Sequence, residues 1–127
     1  MQNFRQLIVW KKSHELVLKL YRATSGPSDR RYRGLAAQIR RAATSIPANI
    51  AEGCGQEGSR ELARYLRISF ASAFELHYHL QLASDLGLLS PSEFARLDAR
   101  TEQVKRMLTG LLTRIRHDTR KREGCKV

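Results

Sequence analysis

Residues that staple, break or bend a backbone are scarce in this chain: two cysteines, three prolines and eight glycines among 127 residues. Cys54 and Cys125 lie far apart, so they make neither a disulfide framework nor a metal-binding spacing. No apolar run approaches the ~20 residues that a membrane-spanning helix needs. The apolar run from Leu7 to Trp10 is too short for a secretory signal, and the expectation is a cytoplasmic protein. Alternating strand patterns are missing, as is any glycine-rich phosphate loop. No serine or cysteine stands beside a plausible base. Glu75 and His79 share a helical spacing, but no second set completes a di-metal bundle. The chain is therefore read as non-enzymatic, without cofactor or metal.

Acidic residues are also few. Twelve Asp and Glu stand against 23 Lys and Arg, leaving a formal charge of +11. An excess of that size favours polyanionic partners such as RNA or DNA, although a soluble protein that is simply basic is the plainer reading.

What the sequence does contain is helical periodicity. Helix one is expected from about Leu7 to Ala23, with Trp10, Ser13, His14, Val17, Tyr21 and Thr24 on one face. Trp10 and Tyr21 read as core aromatics and His14 as a structural histidine. Helix two begins between Asp29 and Leu35, and its stripe is Leu35, Ile39, Ala42, Ala43, Ile46 and Ile50. Pro47 should kink it, and Gly53 to Gly55 should end it, with a glycine free to form a left-handed cap. Helix three starts with Ser59 as its N-cap and runs to about Leu86. Leu62, Leu66, Ser69, Ala73, Leu76, Leu80 and Ala83 alternate by three and four, and a second stripe of Ala71, Phe74, Tyr78 and Leu82 lies opposite. A helix apolar on two sides is buried on two sides, so this second stripe reads as an oligomer interface. Helix four opens on a capping box, Ser90 to Glu93 with Pro91 at its first position. Phe94, Leu97, Thr101, Val104, Leu108, Leu111 and Ile115 form its stripe. Residues 1–116 thus predict an all-α, antiparallel up-down-up-down four-helix bundle, and residues 117–127 a basic flexible tail.

Two polar features are candidates for function. Gln38, Arg41, Ser45, Asn49 and Glu52 make one ridge on helix two, with Glu75 of helix three able to face it. The ridge reads as a half-buried network fixing helix register or subunit docking, with a ligand or RNA contact as the other reading. The second feature is basic. Arg60, Arg64 and Arg67 align along helix three, Arg33 and Arg40 along helix two, and Arg114, Arg116, Arg120, Lys121 and Arg122 cluster near the end. Such rows can track phosphates in a salt-dependent, sequence-independent way.

Several of these segments resemble a known family. They are Phe4, Val9-Trp10-Lys11-Lys12, His14-Glu15-Leu16, Arg31-Tyr32-Arg33-Gly34-Leu35, Gln38-Ile39-Arg40-Arg41-Ala42, the run from Ser45 to Gly53, and Glu75-Leu76. Together they resemble the 23S rRNA intervening-sequence-encoded proteins, from Phe4 to about Arg116. The most specific segment is Gln38 to Gly53, with its proline inside a helix. Ala71 stands where a glycine is usual, and the basic end after Arg116 falls outside the pattern. The resemblance implies a four-helix bundle assembled as a ring-like homopentamer. It also implies kinship with the accessory protein of diversity-generating retroelements, a basic pentamer that binds nucleic acid. It carries no catalytic residues, and Gln38, Arg41, Pro47, Asn49, Glu52 and Glu75 transfer only as structural or interface positions. The expected function is RNA binding by a homo-oligomer. The alternative is an oligomeric scaffold that recruits a protein partner.

Overall fold

A computed structural model describes residues 3–26 and 30–124, with side chains on the last helix through Lys121. A short 3-10 turn, Phe4–Gln6, leads into four helices: α1 (Ile8–Ala23), α2 (Arg33–Cys54), α3 (Ser59–Asp85) and α4 (Pro91–Gly124). Among the described residues there is no strand. α1 and α3 each pack against both α2 and α4, enclosing one core consistent with a four-helix bundle. No described helix is long and apolar enough to cross a membrane.

The stripes expected on three helices are the core. Leu35, Ile39, Ala42, Ala43, Ile46 and Ile50 of α2 are buried, as are Leu66, Ser69, Ala73, Leu76, Leu80 and Ala83 of α3 and Leu97, Thr101, Val104 and Leu108 of α4. On α1 the expected Ser13, Val17 and Thr24 are buried, but Val9, Leu16 and Leu20 complete the face in place of Trp10, His14 and Tyr21. The aliphatic side chains, not the aromatics, fill the space between α2 and α4. Trp10 is half-buried at the rim, Tyr21 is 42% exposed, and His14 is exposed and stacked on Trp10 with ring centroids 4.9 Å apart.

The helix ends follow local chemistry. Gly55 closes α2 with φ −82°, a right-handed conformation, so the expected left-handed cap is not there. It is at the end of α3, where Gly87 has φ 78°. The Leu88 amide donates to Ala83 O at 2.8 Å and the Gly87 amide to Ser84 O at 3.0 Å, the paired bonds of a Schellman cap. Leu88 and Leu89 then turn into the core. Ser59 is the first residue of α3, and Gly58, at φ 88°, holds the cap position without a side-chain bond. The capping box of α4 is closed on both sides: Glu93 N–H donates to Ser90 Oγ at 3.2 Å, and Ser90 N–H donates to Glu93 Oε1 at 3.3 Å.

α4 also runs further than expected. Residues 117–124 are helical where a flexible tail was anticipated, and residues 125–127, including Cys125, lie outside the described residues. Ile115 and Thr119 remain half-buried, and the Thr119 hydroxyl donates to Ile115 O at 2.9 Å. Arginine and lysine are good helix formers, so nothing in this basic run stops propagation.

The seam between α2 and α3 is the tightest part of the fold. Pro47 is buried inside α2 and withdraws the donor that the Ala43 carbonyl would otherwise receive. The helix nevertheless continues to Cys54. Beside the proline, the buried Ser69 hydroxyl of α3 donates to Ile46 O at 2.8 Å. Two turns further along α2, a Cβ added at Gly53 would lie 3.0 Å from Tyr65 Cβ and 3.1 Å from Leu62 Cδ1. Glycine is required there by proximity, not by backbone angle. Gly53→Ala is expected to cost about 1–3 kcal/mol of stability through overpacking. Gly34→Ala, where nothing lies within 4 Å, is expected to gain up to about 1 kcal/mol. Urea denaturation checks both; a Gly53→Ala protein as stable as the parent would refute the close approach.

Candidate nucleic-acid interface

Four arginines converge where the first turns of α3 meet the last turns of α4. Arg60 and Arg67 from α3 and Arg116 and Arg120 from α4 line a groove of about 240 Å³, floored by Ala63, Leu112 and Ile115. The spacing explains the convergence: residues seven apart on α3 and four apart on α4 each return to one face. Among the described residues, no acidic side chain lines the groove. None of the four guanidinium groups has an ion pair or a side-chain hydrogen bond among the described residues. Arg116 and Arg120 sit near the C-terminal end of α4, where the helix dipole favours cations. Arg60 has no such compensation, because it lies in the first turn of α3, at the positive end of the dipole.

The remaining basic residues predicted for this role fall elsewhere. Arg40 is committed to the end of α1. Its Nε donates to Thr24 Oγ1 at 2.9 Å and its Nη2 to Thr24 O at 3.0 Å and Ser25 Oγ at 3.2 Å. Its guanidinium stacks on the Tyr21 ring at 4.5 Å. Arg40 thus adds to the bonds that Thr24 and Ser25 already give the end of α1. Arg64 pairs with Glu61 at 3.2 Å and stacks on Tyr65, so it leaves the row it was predicted to share with Arg60 and Arg67. Arg33 is exposed in a separate basic cleft with Arg30 beside the end of α1. Lys121 is exposed on α4 but does not line the groove. The side chain of Arg122 lies outside the described residues. Arg114 borders an apolar cleft formed by Leu7, Val9 and Leu111.

The polar ridge on α2 is shorter than expected. Ser45 Oγ meets Ser72 Oγ at 2.8 Å, and Asn49 Nδ2 donates to Ser45 O at 2.8 Å and to its hydroxyl at 3.0 Å. Gln38, Arg41 and Glu52 are exposed and join no side-chain network among the described residues. Glu75 does not face the ridge; it pairs with His79 one turn along its own helix, at 3.3 Å. Ser72 points at α2, whereas Glu75 falls on the outer face. His79 Nδ1 is buried with no hydrogen-bond partner among the described residues. The Cys54 thiol is buried, and burial pushes its pKa above the ordinary range, which keeps it protonated.

The second stripe of α3 is open. Phe74 is 51% and Tyr78 62% exposed, and Ala71 is exposed one turn before Phe74. Leu82 is half-buried and packs on the core, so it belongs to the stripe only in part. Ile68, 38% exposed, extends the same face and was not anticipated. Lys105 Nζ lies 3.7 Å from the centre of the Phe74 ring and donates to His77 Nδ1 at 3.1 Å. That lysine is occupied and is not part of a phosphate-binding surface. Sequence reasoning also missed a cleft lined by Lys19, Arg22, Arg96 and Arg100. These residues have helical spacing within each helix, but only the contact of α1 with α4 brings them together. Among the described residues, no group of three or more His, Cys, Asp or Glu could hold a metal ion.

A family model described as 23S rRNA-intervening sequence protein matches residues 5–110. Among solved structures, the chain is similar to the 1.70 Å crystal structure of a protein with unknown function from the S23 ribosomal protein family of Bacteroides thetaiotaomicron VPI-5482. The TM-score is 0.76 at 21% identity, over 83% of this chain and 98% of that one. At this identity the likeness is one of fold. No curated protein matches the chain.

The capping role of Arg40 separates it from the groove arginines. Arg40→Ala is expected to lower stability by about 1–2 kcal/mol, since it removes hydrogen bonds from a charged donor at a helix end. Arg67→Ala, exposed and unpaired, should stay within about 0.5 kcal/mol of the parent. Chemical denaturation of the two variants side by side gives the comparison, and equal losses would contradict the assignment.

Proposed function

The chain belongs to the 23S rRNA-intervening sequence protein family, and from that premise we propose that it is a non-enzymatic, cytoplasmic homo-oligomer that binds RNA along the groove between α3 and α4. The observation that carries the reading is the convergence of Arg60, Arg67, Arg116 and Arg120 with no acidic partner among the described residues that line the groove. Arg116 and Arg120 are one turn apart, a like-charge spacing that costs a few tenths of a kcal/mol. Placing Arg60 at the positive end of α3 costs about 0.3–1 kcal/mol more. A phosphate backbone offsets both costs. Guanidinium forks bind phosphate oxygens bidentately, which supplies affinity and register without reading bases.

The helix pairings support an antiparallel up-down-up-down bundle. Ile46 meets Ser69 and Gly53 meets Leu62, so α3 runs back along α2. Arg60 and Arg67 share their groove with Arg116 and Arg120, while His77 contacts Asp98, so α4 runs back along α3.

The exposed stripe of Ile68, Ala71, Phe74 and Tyr78 supports self-association. The ring-like pentamer comes from the family resemblance, as does the analogy with the accessory protein of diversity-generating retroelements. The same stripe favours a second reading, a scaffold that recruits a protein partner through its aromatic face.

Arg60→Gln/Arg67→Gln is expected to weaken RNA binding and to lower the slope of log K against log salt by roughly 1.4–1.8, the loss of two phosphate contacts. Mobility shift with labelled rRNA fragments at several salt concentrations measures this, and an unchanged slope would sink the groove assignment. Phe74→Asp is expected to dissociate the oligomer with helicity intact, read by light scattering and far-ultraviolet circular dichroism. Elution at the parent's size would mean that assembly uses another face.

A further inference from the structure

We infer that the cleft between the end of α1 and the start of α4 is a second phosphate-binding site, so that the protein grips two separate backbone segments of one folded RNA. The inference rests on the nucleic-acid reading above and adds to it the shape of the ligand.

Lys19 and Arg22 from α1 face Arg96 and Arg100 from α4 across a cleft of about 390 Å³. The acidic residue in its lining is Glu93, whose Oε1 accepts from the Ser90 amide and closes the capping box. None of the four cations has an ion pair or a side-chain hydrogen bond among the described residues. Lys19 and Arg22 stand three residues apart and Arg96 and Arg100 four apart, so each pair repels along its own helix. Packing α1 on α4 then brings the two repelling pairs together. Glu93 is the one carboxylate against these four cations among the described lining residues, which leaves an excess of positive charge that an anion in the cleft would offset. The mixture of guanidinium forks and one ammonium point charge suits the oxygens of phosphodiesters.

The two arginine sites are not continuous. Arg100 and Arg116 are both on α4, sixteen residues apart, which is about 24 Å along the axis. Arg100 faces α1 and Arg116 faces α3, on different flanks of the same helix. A straight backbone segment cannot lie in both. The ligand that fills both is an RNA whose fold presents two backbone segments, such as a pair of hairpins, to either side of α4.

The test uses the full chain, a fluorescently labelled two-hairpin RNA, and salt titration. Arg96→Gln/Arg100→Gln is expected to weaken binding at least about tenfold and to lower the salt slope by roughly 1.4–1.8. Arg96→Lys/Arg100→Lys should retain most of the slope, because it keeps the charge. If circular dichroism shows that the glutamine variant has lost helicity, Lys19→Gln/Arg22→Gln on the opposite wall carries the same expectation. Should the cleft variants keep both affinity and slope while Arg60→Gln/Arg67→Gln loses them, the second site is wrong and the first groove stands. If the parent protein binds no RNA even at low salt, the proposed function fails and this inference fails with it.

Discussion

The fold depends on how closely α2 and α3 approach. A buried proline inside a helix is costly, on the order of 3 kcal/mol in an ordinary helix interior. α2 keeps one with α3 pressed against it: Ser69 donates to the carbonyl beside Pro47, and Ser45 and Ser72 share a hydrogen bond across the seam. Gly53 lets the backbones come together two turns further on. Ala42 and Ala43, buried on the same helix, keep its core face small as well. With that seam set, α1 and α4 have only one groove each in which to bury their apolar faces.

Much of this was legible in the sequence. Three core stripes, the capping box at Ser90 and the helical break near Gly53 follow from local periodicity and cap chemistry, which do not need tertiary information. The failures share one cause. Tyr21 looked like core because aromatic side chains usually are, but Leu16, Val17 and Leu20 take the buried face of α1. Arg40 looked free because the helix end that it caps lies sixteen residues earlier in the chain. Arg64 looked aligned with Arg60 and Arg67, but Glu61 and Tyr65 are nearer than any phosphate would be. The Lys19, Arg22, Arg96 and Arg100 cleft could not be read at all, because nothing in the local pattern says which faces of α1 and α4 meet. The length of α4 is a separate matter: the apolar pattern fades after Ile115, but arginine and lysine tolerate helix well and the helix runs on to Gly124.

The structure also sorts a net charge into kinds. Some cations are structural, as Arg40 is at the end of α1 and Lys105 is between His77 and Phe74. Others are neutralised locally, as Arg64 is by Glu61. Some of the groups left over gather in two grooves, Arg60, Arg67, Arg116 and Arg120 in one and Lys19, Arg22, Arg96 and Arg100 in the other, while Arg41 and Lys121 stay exposed outside both. Net charge alone could not have made that distinction, because it counts all of these groups equally.

The way α1 ends has a consequence for the order in which the chain assembles. Its last carbonyls are served by Thr24 and Ser25 and by the guanidinium of Arg40, which belongs to the second turn of the following helix. The corner between α3 and α4, in contrast, is closed by bonds among residues 82–94. The Thr24 carbonyl therefore gains its guanidinium donor only once part of the second helix is in place. The α3–α4 corner draws its capping bonds from its own residues and, among the described residues, borrows none from another part of the chain.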